Sequence, residues 1–164
     1  MTITADDITD FSDPTTRKIV AFIRSIGIEV LARPVEGKTF VPGISIVGGT
    51  LHADESRMKW PGDLLHEAGH LAVAEPEKRN DILVDIGNNP GEEIAAIAWS
   101  YAASVYLEID PAVVFHPEGY KGDSEWLIET FSKGETFGVP LLQYYGLCRE
   151  KGESEYPAMQ KWMR

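Results

Sequence analysis

Apolar residues fall at helical spacing in the first clear segment of the chain. Ile19, Val20, Phe22, Ile23 and Ile26 share one stripe. Asp13 suits the N-cap, Pro14 the first helical position and Gly27 the stop. Residues 28–32 read as a short strand. Residues 38–53 read as one or two more, with Ile44 and Ile46 alternating and Gly48-Gly49 as a bend or bulge. Trp60-Pro61 then opens a helix to about Glu75, where Pro76 stops it. Residues 76–91 form a polar loop with an apolar patch at 82–86. A second long helix starts near Pro90-Gly91 and runs to about Glu108. Gly122-Asp123-Ser124 leads into a helix through Phe131 that Gly134 ends. Further helices are predicted over 140–147 and 156–164. The pattern is that of an α+β domain, mostly helical, with a small sheet before the helix at Trp60. One domain spans 1–164, with about 115–164 a helical C-terminal extension packed on it.

Composition narrows the partners. The chain has 164 residues, 43% hydrophobic and 25% charged, and a formal net charge of −11. Nucleic acid and anionic membranes both need a basic footprint, so neither is an expected partner. A single cysteine, Cys148, rules out a disulfide within the chain and reads as a small apolar residue. The acidic start, MTITADDITDF, lacks the pattern of a signal peptide, and no long apolar run suggests a membrane span. The expected location is the cytoplasm.

The chemistry concentrates at His66-Glu67-Ala68-Gly69-His70. Positions four apart on a helix differ by about 40° in direction and about 6 Å in height. Both imidazoles can therefore meet one cation, and zinc takes such nitrogen ligands. Glu67 sits about 100° around from His66, where it can reach a water without being a ligand. A catalytic zinc ion usually takes a third protein ligand. Val73 and Pro76 stand where a metzincin would have glycine and histidine. Asp81 and Asp85 stand in no clear pattern. Glu75 points elsewhere, about 140° around the helix from His70. Glu92 and Glu93 open the next long helix and are the best candidates. That helix is rich in alanine, and Ala68 and Gly69 are small as well. Small residues let two backbones approach until a short glutamate can reach across.

The histidine motif followed by Glu93-Ile94-Ala95-Ala96-Ile97-Ala98-Trp99-Ser100 resembles the gluzincin metallopeptidases. The nearest look is to compact members, the minigluzincins and ImmA/IrrE-like peptidases. The resemblance implies a zincin-like domain in which the helix after the histidine motif carries a glutamate ligand. Setting Ala96 and Trp99 on the family's alanine and aromatic makes Glu93 that ligand. Ile97 and Ser100 depart from the family pattern, so Glu92 stays open. The resemblance covers about residues 60–103. The tail around Phe115-His116-Pro117 and Gly119-Tyr120-Lys121-Gly122 is similar only to uncharacterised bacterial proteins with the same motif.

By this resemblance the chain is a zinc-dependent metallopeptidase acting on a peptide or protein substrate. Zn2+ would be held by His66, His70 and Glu93, with Glu67 as general base. Tyr101, His116 and Tyr120 are candidate donors to the oxyanion. The strand before the active helix, within 44–52, is a candidate edge for pairing with substrate, and His52 at its end reads as a surface residue. Two other readings share the motif. One is a non-catalytic, zinc-stabilised binding or regulatory module, and the other a zinc hydrolase of a non-peptide amide. The aromatic-rich tail is expected to be mostly core, with part of it a candidate cover for the cleft.

Overall fold

The structure, a computed structural model, describes residues 2–83, 90–134 and 137–164. Among them are six α-helices and a small mixed sheet, an α+β arrangement. The first helix, α1 (Pro14–Ser25), begins as its sequence requires. The Asp13 side chain accepts a hydrogen bond from the Thr16 amide at 2.8 Å, and Pro14 fills the first helical position. Ile19, Val20, Phe22 and Ile23 are buried, and Gly27, at φ 101°, turns the chain away.

Three strands follow: β1 (Val30–Ala32), β2 (Ile44–Val47) and β3 (Thr50–Ala53). Gly48 and Gly49 both have positive φ (58° and 78°). They are thus the two-residue turn of a tight β2–β3 hairpin, not a bulge. The strand order is β1-β3-β2, with β3 parallel to β1 and antiparallel to β2. This order corrects the expected substrate edge. The strand just before the active helix is central, and His52 pairs with Leu31 on one side and Ser45 on the other. Within 44–52, only β2 has a side not paired in this sheet.

The helix carrying the histidine motif, α2 (Asp63–Val73), is buried at every residue except Glu67, which is part-exposed. It starts two residues later than expected, because turn bonds around Pro61-Gly62 come first. It packs along α3 (Pro90–Tyr106), itself buried from Ala95 to Ser104. Gly69 explains the closeness. A Cβ there would lie 3.0 Å from the Ala96 carbonyl oxygen and 3.2 Å from the Trp99 ring. The short helix α4 (Pro111–Val114) is capped by Asp110. Next come α5 (Ser124–Ser132) and α6 (Val139–Tyr144). The expected apolar patch at 82–86 lies mostly outside the described residues.

The last segment is not the helix expected over 156–164. It is irregular and straps the back of the core. Proline at 157 disfavours helix at Tyr156, and the backbone groups find partners elsewhere. The Gln160 amide donates to the Leu147 carbonyl at 2.9 Å, and the Arg164 amide to that of Ala72 at 3.0 Å. Trp162 packs edge-on against Phe22 and Trp99, and its carbonyl accepts from the Trp99 indole at 3.0 Å.

Two arginines finish the C-terminal end of α2. Arg79 donates to the carbonyls of Leu71 (2.7 Å), Ala74 (3.4 Å) and Arg164 (2.7 Å), while the Arg164 guanidinium donates to Val73 at 3.2 Å. With the Arg164 amide on Ala72, all four terminal carbonyls are occupied. Arg79→Ala is expected to lower stability by about 1–3 kcal/mol, read in urea unfolding, because it strips charged donors from a helix end. An unchanged midpoint would show that the clamp contributes nothing.

Candidate metal centre

One helix face delivers the cluster. His66 and His70 are one turn apart on α2, with side chains 7% and 8% exposed. Their Nε2 atoms lie 3.2 Å apart. Glu93, in the first turn of α3, reaches across the close helix contact. Its Oε1 is 3.2 Å from His66 Nε2, and its Oε2 is 2.7 Å from His70 Nε2. Glu67 lies beside them, and ligand atoms of His66, Glu67 and His70 fall within 4.8 Å of one another. These residues could hold a metal ion.

The donor geometry suits one small cation. An ion with ligands at about 2.0–2.1 Å and tetrahedral angles holds its donors about 3.3 Å apart. The separation of the two Nε2 atoms and that of His66 Nε2 from Glu93 Oε1, each 3.2 Å, already match. The 2.7 Å contact from His70 Nε2 goes to the other carboxylate oxygen, Oε2, and is a hydrogen bond that an ion would replace. Two imidazole nitrogens and a carboxylate oxygen also form a donor set that zinc accepts.

Electrostatics tie the group together. Burial alone would push Glu93 upward, but hydrogen bonds from His66 and His70, and their charge, hold its carboxyl well below the usual range. Burial opposes protonation of His66. The Glu93 bond and the charges of Glu67, Glu93 and Asp63 outweigh it and raise the imidazole above its ordinary value. Glu67 is raised by burial, against the pull of His66 and His70. A carboxylate raised in this way is a stronger base than a free one.

The structure brings some predicted residues to this cluster and sends others away. Glu93, not Glu92, touches the histidines, while Glu92 lies where its charge is felt by Lys78. Asp81 is exposed in a single 3-10 turn, and Asp85 lies outside the described residues. Tyr120 sets its ring edge-on to His66, with centroids 5.4 Å apart. Its hydroxyl is buried without a hydrogen-bond partner among the described residues. Burial pushes that phenol well up, and the charges of Asp63, Glu93 and Glu67 push it further, so it stays a neutral donor. Tyr101 instead stacks on Phe131 (4.9 Å) within a ring cluster that includes Phe115 and Tyr156. Burial alone raises it, with no contribution from the cluster's carboxylates. Eight helical residues after Glu93 amount to about 80° of rotation, which turns Tyr101 off the Glu93 face.

His116 reaches the same neighbourhood one layer out. Its Nε2 lies 2.6 Å from Asp63 Oδ1, both side chains being buried, and its ring stacks on Trp60 at 4.5 Å. Asp63 was missed by sequence reasoning. It reads as an ordinary acid in a first helical turn, and its partner is 53 residues away. Cys148 is buried, and burial raises its thiol, as suits a packing residue. No helix among the described residues is long and apolar enough to cross a membrane.

Neither a protein-family model, nor a curated protein, nor a solved structure matches the chain.

Proposed function

We propose that the chain is a zinc-dependent hydrolase of the zincin type, similar to the compact gluzincins, and that it cleaves peptide bonds. One observation carries this reading: Glu93 bridges both histidine Nε2 atoms, with a part-exposed Glu67 of raised proton affinity beside them. His66, His70 and Glu93 would hold the ion. Zinc in such a site acts as a Lewis acid that acidifies water and polarises a carbonyl.

The chain's own residues supply the remainder. Glu67 accepts a proton from the attacking water and delivers it to the leaving amine. Its raised affinity for a proton favours the first of these transfers. Tyr120 presents a neutral hydroxyl to the charge that develops on the carbonyl oxygen. Part-exposed Glu67 and Glu93 mark the side from which solvent and substrate reach the cluster. The remaining side of β2 is the edge on which an extended peptide can pair.

The test is hydrolysis of unstructured casein by purified protein, before and after chelation and with zinc restored. Cleavage that vanishes on chelation and returns with zinc supports the reading. Zinc-loaded protein that never cleaves casein or a mixed peptide library favours the binding module.

A further inference from the structure

Nothing local favours the place where Tyr120 stands. Its backbone is left-handed, φ 56°, a region that residues with a Cβ avoid. Its hydroxyl is buried with no hydrogen-bond partner among the described residues, while its ring lies edge-on to His66. Something outside the residue must hold it there, and the preceding loop has three anchors. His116 Nε2 meets Asp63 Oδ1 at 2.6 Å. The His116 ring lies parallel to Trp60, 4.5 Å apart and 4° from coplanar. The Trp60 indole donates to Glu118 Oε2 at 2.7 Å. Gly119 lets the loop fold back over the imidazole, since a Cβ there would come within 3.1 Å of His116 Cε1. All three anchors sit on residues 60–63, immediately before or at the first turn of the helix that carries His66. The loop is therefore referenced to the metal-holding helix itself.

Resting on the hydrolase reading above, we propose that His116 is a positioning residue. Its bond to Asp63 and its stack on Trp60 latch residues 115–120 to the start of α2, so that the Tyr120 ring stays edge-on against His66. His116 is thereby separated from the oxyanion role, because the Nε2 that would serve it is committed to Asp63.

The experiment loads the full chain with Co2+ and titrates acetohydroxamate, a small metal-chelating probe, against the cobalt absorption band. The oxygens of this probe take the place of a reacting carboxamide and accept a hydrogen bond from Tyr120. Tyr120→Phe is expected to leave Co2+ affinity unchanged and to weaken acetohydroxamate about tenfold, the worth of one hydrogen bond to a charged group. His116→Leu should weaken it to the same extent. The double variant should be no weaker than either single one, since both act through one hydroxyl. His116→Gln, which keeps a donor for Asp63, should recover to within about threefold of wild type. Asp63→Ala removes the acceptor from the other side of the latch and takes the place of His116→Leu in the cycle if that variant does not fold. Losses that multiply to about a hundredfold in the double variant overturn the latch, as does failure of glutamine to rescue. Wild-type protein that takes up no Co2+ overturns the hydrolase reading, and the latch with it. Wild-type protein that binds Co2+ and probe while the variants match it overturns the latch alone.

Discussion

Glu67→Gln is expected to keep its zinc and lose its hydrolysis. The substitution preserves shape and removes only the ability to accept a proton. Glu67 belongs to the same group as His66 and His70, and desolvation already raises its proton affinity. A positioned general base contributes about 10²–10⁴-fold. The fall should appear in kcat, with KM little changed, because the lost interaction exists only in the transition state. Metal content, measured on the same sample, should equal that of wild type. A variant that cleaves casein at the wild-type rate would remove Glu67 from the chemistry. One that loses its zinc would make it a ligand.

Glu93→Ala is expected to reduce zinc affinity by at least about a hundredfold, the upper end of what removing even an outer partner of a ligand does. Glu92→Ala should change it little, because only Glu93 meets the histidines. If the alanine at 92 releases the metal and that at 93 does not, the register of α3 is wrong by one residue. The same cluster sets a pH dependence. His66 is raised above its ordinary value of about 6.5. Zinc must displace that proton, so affinity should rise with pH through and beyond this point. For the metal-free fold the signs oppose. The raised His66 contributes stability below its unfolded value and loses it as pH climbs through the folded one. The depressed Glu93 contributes above its unfolded value of about 4.3 and loses it as pH falls. Metal-free protein should thus gain most from this pair between about pH 4.3 and 6.5, with the gain extending upward to the raised His66 value. Thermal melts across that range, with Glu93→Ala as reference, measure it.

Local signals in the chain were readable wherever one residue decides the backbone or one period decides a face. Asp13-Pro14 started α1 and Gly27 ended it, because capping and positive φ are properties of single residues. The four-residue spacing of His66 and His70 fixed their common direction. The small residues at Gly69 and Ala96 foretold the close helix contact that lets Glu93 reach them. Pairings between distant segments were not readable. Strand order placed β3 in the middle, which spacing along the chain does not encode. Asp63 and His116 become partners only once α4 packs against α2. The tail misled for a different reason. Tyr156, Met159, Trp162 and Met163 carry a helical period, yet Trp162 packs against α1 and α3, Gln160 bonds to Leu147, and Arg164 satisfies carbonyls of α2. Those tertiary bonds outweigh a short helix at a chain end. This segment therefore clamps the back of the core, and it is the loop at 115–120 that reaches the cluster.

The central claim is that two histidines and a glutamate form a metal site. Metal analysis of protein purified without chelators, repeated for His70→Ala, tests it most directly. One zinc per chain in the wild type, and none in the variant, is expected. Wild-type protein that carries no transition metal and takes up none from micromolar zinc would leave the cluster a hydrogen-bonded core feature and the hydrolase reading without a foundation.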